Sequence, residues 1–130
     1  MSSQKLSDFE LEVLQHLWDL KRASTPELHR KISESRDVKY STVRTIVDRL
    51  ERKQAIEQVA QQGRAQVFRP ILTKADVSLP MTRRFVERVF GGDSRPLLSH
   101  LLDNAALEAQ DIAYLESIIA RRKNELDNDD

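Results

Sequence analysis

The side chains best equipped for polar recognition crowd into one short stretch. Ser41, Thr42, Arg44, Thr45, Arg49 and Arg52 all fall between Tyr40 and Lys53. Guanidinium groups present paired N–H donors to phosphates or guanine edges, and hydroxyls bond phosphates while threonine methyls meet thymine. Val43, Ile46, Val47 and Leu50 recur through the same stretch at i, i+3, i+4 and i+7, the apolar stripe of a helix. At about 100° per residue, the opposite side is centred on Ser41, Thr45, Asp48 and Arg52. Thr42 and Arg49 flank it on one edge and Arg44 on the other. Asp48 would repel an anion, so it is expected to pair with a neighbouring arginine. An ordinary solvated helix face also carries Ser, Thr and Arg, so the elements around this one must decide its use.

Other chemistry is excluded or bland. The chain has no Cys, which removes disulfides, thiolate metal sites and cysteine nucleophiles. His16, His29 and His100 have no second histidine or carboxylate at ligand spacing, so they read as surface histidines and no metal is expected. His100 is the exception to watch, because a helix interface could couple its protonation to association. Glu10 and Glu12 lie on different faces of a helix and form no acid–base pair. Trp18 completes an apolar stripe and is read as core. No phosphate loop, nucleotide fingerprint or nucleophile elbow is present, so neither a cofactor nor enzyme activity is expected.

The elements that position the polar face follow from local signals. Ser7 and Glu10 form a capping box ahead of a helix from about Asp8 to Leu20, with Val13, Leu14, Leu17 and Trp18 on its stripe. A second helix, with Thr25 as N-cap and Pro26 in the first position, ends near Ser35. The third covers Tyr40 to Lys53. Ala55 to Gln61 and Ala65 to Ile71 then flank Gln62-Gly63-Arg64 as a hairpin with Arg64 at its tip. A fourth helix carries Met81, Phe85, Val86, Val89 and Phe90 and stops at Gly91-Gly92. Thr73 caps it if Pro80 is interior; Ser78 caps it if Pro80 lies in the first turn. Ser94 is expected to cap a fifth helix bearing Leu97, Leu98, Leu101 and Leu102. A sixth bears Ile112, Leu115, Ile118 and Ile119, ends on Arg121, Arg122 and Lys123, and leaves Asp127 to Asp130 as a frayed tail.

Three helices and a hairpin in this order give a mainly α fold. A winged helix-turn-helix with a small antiparallel hairpin wing spans residues 1–72, and a three-helix region spans 73–130. The first two helices and the strands bury the stripe of the third, freeing its polar side for a major groove. The last three helices hold too few residues for an independent core. Phe85, Val89, Leu97, Leu98, Leu101, Leu102, Ile112, Leu115, Ile118 and Ile119 are therefore expected to pair two chains, most simply with C2 symmetry, the alternative being a monomer whose last three helices fold back on its own winged domain. The formal charge is zero but uneven: residues 1–75 carry 14 basic and 10 acidic side chains, and residues 76–130 carry 7 and 11. No apolar run approaches a membrane span, and Met1-Ser2-Ser3-Gln4-Lys5 lacks a secretory pattern, so a cytoplasmic protein without membrane contact is expected. Two functions fit: a protein that reads duplex DNA with its third helix, or a winged-helix adaptor whose third helix binds an acidic protein surface.

Leu6-Ser7-Asp8-Phe9-Glu10-Leu11-Glu12-Val13-Leu14 with Trp18, the stretch Tyr40 to Lys53, Gly63-Arg64-Ala65 through Val67-Phe68-Arg69-Pro70, and Phe90-Gly91-Gly92 with Leu107 to Lys123 occur in order. Together they resemble the BlaI/MecI/CopY-type penicillinase repressors over nearly the whole chain. The resemblance implies a homodimeric repressor on double-stranded operator DNA, its wing on the DNA and its C-terminal helices intertwined between subunits. Three departures stand out. Gln54 replaces the family's usual glycine after Lys53, which makes a left-handed C-cap harder to form. Leu107-Glu108 replaces Leu-Ser ahead of the last helix. His100–Leu101 replaces the Asn–Phe bond at which the best-known members are cleaved, which counts against the same proteolytic switch, although the resemblance implies a sensor protease acting on the C-terminal region as a partner. The Cys-rich metal site of copper-sensing members is excluded.

Overall fold

Residues 5–129 are described by a computed structural model, in which helices α1 (Asp8–Leu20), α2 (Thr25–Ser33) and α3 (Tyr40–Arg52) precede a small sheet. Strand β1 (Ala23–Ser24) lies between α1 and α2, and β2 (Ile56–Gln62) and β3 (Ala65–Pro70) follow α3. Helices α4 (Lys74–Phe90), α5 (Arg95–Asn104) and α6 (Ala109–Asn128) complete the chain. Met1 to Gln4, most of the segment read for a leader, and Asp130 of the expected tail lie outside the described residues.

The helix starts follow side-chain chemistry. At α1, Glu10 N–H donates to Ser7 Oγ (3.2 Å) and Ser7 N–H donates to Glu10 Oε1 (2.7 Å), as the capping box requires. At α2 the N-cap is Ser24, not Thr25. Glu27 stands three residues after Ser24 and closes a second box, accepting Ser24 N–H at 3.0 Å, whereas Thr25 is followed at that distance by the apolar Leu28. Thr73 resolves the start of α4: Asp76 N–H donates to its Oγ1 (3.0 Å) and its own N–H to Asp76 Oδ2 (2.9 Å). Pro80 is thus interior, and the bond it cannot donate falls where Asp76 and Pro80 both face solvent. Ser94 precedes α5 but makes no side-chain cap; Arg95 N–H donates instead to Asp93 Oδ1 (3.1 Å). The tail expected to fray is helical at Asp127 and Asn128.

The sheet is three-stranded, in the order β1-β3-β2 and antiparallel throughout. The hairpin was legible, but β1 was not, because two residues show no alternation. Ala23 and Ser24 pair with Phe68 and Val67, which joins the α1–α2 connection to the wing. Val59 is an extra residue in β2 between the Gln58–Phe68 and Ala60–Val67 pairs, a bulge of the kind that bends and twists a strand. Gly63 and Arg64 form the turn. Positive φ occurs at Gly63 alone (+62°), the pattern of a type II′ hairpin turn.

The chain divides inside α4 into two compact units, one ending at Thr82 and the other beginning at Arg83. In the first, Val13, Leu14 and Leu17 of α1 meet Leu28 and Ile32 of α2, the whole stripe of α3, and Ile56 and Phe68 of the sheet. Trp18 packs on this core as expected and donates from Nε1 to the Leu72 carbonyl (2.8 Å), pinning the chain after β3. In the second unit no side chain of α5 or α6 is buried.

Candidate nucleic-acid interface

Helix α3 turns one side wholly inward and the other wholly outward. Val43, Ile46, Val47 and Leu50 are buried, while Ser41, Thr42, Arg44, Thr45, Asp48, Arg49 and Arg52 are exposed. Full burial of four aliphatic side chains contributes about 1.5–3 kcal/mol each, so the orientation of this helix is strongly specified. Among the described residues, Arg44, Arg49 and Arg52 form no ion pair, leaving three guanidinium groups free on one face. Asp48 likewise pairs with no cation, contrary to the expectation that it would hold a neighbouring arginine. Thr45 Oγ1 donates to the Ser41 carbonyl (3.0 Å), a back-bond that fixes its hydroxyl.

Local chemistry sets both ends of α3. Its first turn contains no acidic residue, so the positive end of the helix dipole is not offset. Its C-terminus closes with Gln54 N–H donating to the Glu51 carbonyl (3.0 Å) and Ala55 N–H to the Leu50 carbonyl (2.9 Å). This is a Schellman arrangement, and it forces Gln54 to φ +62°. The departure from glycine therefore does not abolish the left-handed cap; it strains it.

Sequence reasoning missed the contacts that hold α3 on α1. Lys53 Nζ donates to Glu10 Oε1 (2.8 Å) and to the Lys5 carbonyl (2.9 Å), and Glu10 is only 1% exposed. Burial pushes the Glu10 carboxyl up, but Lys53, by hydrogen bond and by charge, and the Ser7 donors outweigh it and hold the group below the usual carboxylate range. A shallow cleft lined by Lys5, Leu6, Ser7, Glu10, Arg49 and Lys53 lies where these elements meet. Ahead of α3, Arg36 reaches Glu12 (2.8 Å) and lies 4.5 Å from the centre of the Phe9 ring. His29 is half-buried rather than a surface histidine: Nε2 donates to the Val38 carbonyl (2.8 Å) and the ring meets Tyr40 edge-on. The capping box signalled Glu10, but nothing local to α1 signalled its partner 43 residues away.

On the wing, Arg64 is exposed at the turn and is unpaired among the described residues. Gln61 Nε2 donates to the Gly63 carbonyl (3.1 Å), Gln66 Nε2 to Gln58 Oε1 (3.0 Å), and Arg69 pairs with Glu57 (2.8 Å), so the hairpin carries its own cross-links. In the second unit, Phe85, Val89, Leu98, Leu101, Leu102, Ile112 and Ile119 are all exposed, Leu101 at 58%. Leu97, Leu115 and Ile118 are half-buried. His100 lies beside Phe90 (6.2 Å between rings), which meets Phe85 edge-on. Among the described residues, no helix is long and apolar enough to cross a membrane, and no His, Asp and Glu cluster is fit to hold a metal.

Comparison with known proteins gives a consistent picture. A family model described as "Penicillinase repressor" matches residues 6–121. The penicillinase repressor of Bacillus licheniformis is 27% identical over 120 residues, 92% of this chain and 93% of that protein. That of Staphylococcus aureus is 24% identical over 115 residues, covering 88% and 90%. The solution structure of the DNA-binding domain of the repressor BlaI superposes with a TM-score of 0.51 at 29% identity, over 55% of this chain and 87% of that one. The winged-helix reading of the N-terminal elements agrees with that neighbour.

Proposed function

This chain belongs to the penicillinase repressor family, a family of repressors and not of enzymes, and on that premise we propose that it is a homodimeric transcriptional repressor. It binds a dyad operator in the cytoplasm and occludes a promoter. The DNA-binding domain is residues 1–72 and the dimerisation region 73–130. Helix α3 enters the major groove, where Arg44 and Arg49 address guanine edges or phosphates, Ser41, Thr42 and Thr45 pack on phosphates and thymine methyls, and Arg52 holds the backbone. Arg64 on the wing meets the backbone or the minor groove.

The observation that carries this reading is the free, outward guanidinium-and-hydroxyl face of α3, opposite a stripe that is entirely buried. The homodimer is supported by the second unit, where Phe85, Val89, Leu98, Leu101, Leu102, Ile112 and Ile119 are all exposed, and apolar side chains left uncovered together favour association. Pairing Phe85, Val89, Leu97, Leu98, Leu101, Leu102, Ile112, Leu115, Ile118 and Ile119 across a two-fold axis covers them. A sensor protease cutting at His100–Leu101 would release the operator by splitting this region. That bond lies inside α5, with the His100 carbonyl accepting Asn104 Nδ2 (2.8 Å), so cleavage requires a helical turn to open first.

A gel-shift titration on DNA upstream of the protein's own gene, at two salt concentrations, tests the proposal. Specific, salt-sensitive retardation by a dimer is the expected result. Binding no tighter than to random DNA would return the protein-interaction adaptor as the better account.

A further inference from the structure

We infer that two carboxylates of α1, Glu10 and Glu12, are positioning residues for α3. Through Lys53, which caps the end of that helix, and Arg36, in the turn that leads into it, they hold α3 from both sides and so set sequence discrimination more than overall affinity. The inference rests on the reading of α3 as the helix that enters DNA.

The two clamps are independent. At the far end, one oxygen, Glu10 Oε1, accepts both the Ser7 N–H that caps α1 (2.7 Å) and the Nζ of Lys53 (2.8 Å), the residue that caps α3. Lys53 Nζ also donates to the Lys5 carbonyl, so the end of α3 is tied to the start of α1 at two points. At the near end, Arg36 in the α2–α3 turn pairs with Glu12 and lies over Phe9, both on α1. Glu10 and Glu12 are two positions apart, about 200° around the helix axis, which is how one turn of α1 reaches both the end of α3 and the turn that leads into it.

The Glu10–Lys53 pair adds some stability, but stability is only part of what it supplies. Desolvation offsets most of the Coulomb gain of a buried ion pair. Here the offset is larger, because Glu10 Oε2 is buried without a hydrogen-bond partner. Direction is the other part. A paired hydrogen bond to a base edge fails within about an ångström of displacement, whereas a phosphate contact is Coulombic and tolerates it. A slackened α3 would therefore keep its grip on the backbone while Arg44 and Thr45 lose their register on bases.

The test compares wild type with E10Q, E12Q, K53M and K53R. Each is titrated on a duplex that the wild type selects from a random pool, and on a scrambled duplex of equal length at the same salt. Thermal unfolding of the free protein is followed in parallel. E10Q and E12Q should bind the scrambled duplex at least as well as wild type, while the ratio of selected to scrambled affinity falls by about tenfold or more, the cost of one misplaced base contact. K53R should retain the ratio and K53M should lose it. An unchanged ratio in both glutamine variants overturns the inference, as does a loss on both duplexes that tracks the unfolding temperature. Should E10Q fail to fold, E12Q, whose pair is half-exposed, carries the test. If the wild type selects no sequence, the DNA-reading proposal itself falls, and the clamp with it, before any variant is made.

Discussion

Replacing Arg64 with alanine should change the salt dependence of DNA binding by an amount that also counts the protomers on the operator. Arg64 occupies the second position of the Gly63–Arg64 turn, is exposed, and forms no ion pair among the described residues. Its guanidinium is therefore free to displace a counterion from a phosphate. Each such contact contributes about −0.9 to the slope of log affinity against log salt. A dimer carries two Arg64 side chains, so R64A should make the slope shallower by about 1.8; a monomer on a half-site would lose only about 0.9. Between 50 and 200 mM salt, a change of 1.8 means that the variant's affinity falls about 12-fold less than that of wild type. Fluorescence anisotropy with a labelled operator at four salt concentrations measures it, with R44A alongside. R44A should relax sequence preference, costing about 1–3 kcal/mol on the preferred duplex and less on a scrambled one. Parallel salt lines for wild type and R64A would remove the wing from the interface.

Three further outcomes are expected. Gln54→Gly should stabilise the protein by about 0.5–1 kcal/mol, because the C-cap holds a side-chain-bearing residue at φ +62° where glycine is unstrained; the urea midpoint reports it, and an unchanged midpoint would mean the cap is relaxed. Leu101→Asp should shift the protein to monomer in sedimentation, at roughly 3–5 kcal/mol per unpaired charge buried on association, with the helical signal of the first unit kept; a variant that stays dimeric would exclude α5 from the interface. Glu10 adds a pH effect. Its folded value lies below the ordinary 4.5, so its contribution is complete above that value and is lost as pH falls through the folded one. The gap in urea midpoint between wild type and E10Q should therefore be widest near neutrality and narrow as pH falls below the ordinary carboxylate value. A constant gap would show that the charge of Glu10 adds nothing.

The elements legible in the sequence are those whose signals are local. The stripe of α3, the capping box of α1 and the glycine of the hairpin each sit within a few residues of what they specify. Errors arose where two local signals competed or where a partner was distant. Thr25-Pro26 resembles a helix start until Glu27 is matched to Ser24. At α5, the serine next to the helix yields its role to the carboxylate of Asp93. Strand β1 exists only because Phe68 and Val67, more than 40 residues later, supply its hydrogen bonds. Glu10 was legible as a cap and illegible as a clamp for the same reason. Of the candidate interface, the types and face of the α3 residues could be read in advance, but the freedom of their arginines, and the failure of Asp48 to pair with one, could not.

The zero net charge gains a physical meaning from this division. A winged unit with only four more cations than anions over residues 1–75 has weak electrostatic attraction for DNA, and the remaining residues carry an equal excess of anions. On the proposed function, charge alone gives such a protein a weak hold on an operator, so affinity would come from doubling its contacts and selectivity from aiming them. In the proposed homodimer the exposed apolar helices α5 and α6 would supply the first, because their uncovered side chains favour a second copy. The paired carboxylates of α1 supply the second. They also account for two of the acidic residues in the winged unit without loss to DNA binding, since each is neutralised by a cation on the approach to or the exit from α3. Deleting those carboxylates to make the unit more basic should therefore increase its grip on any DNA while blurring its choice among sequences.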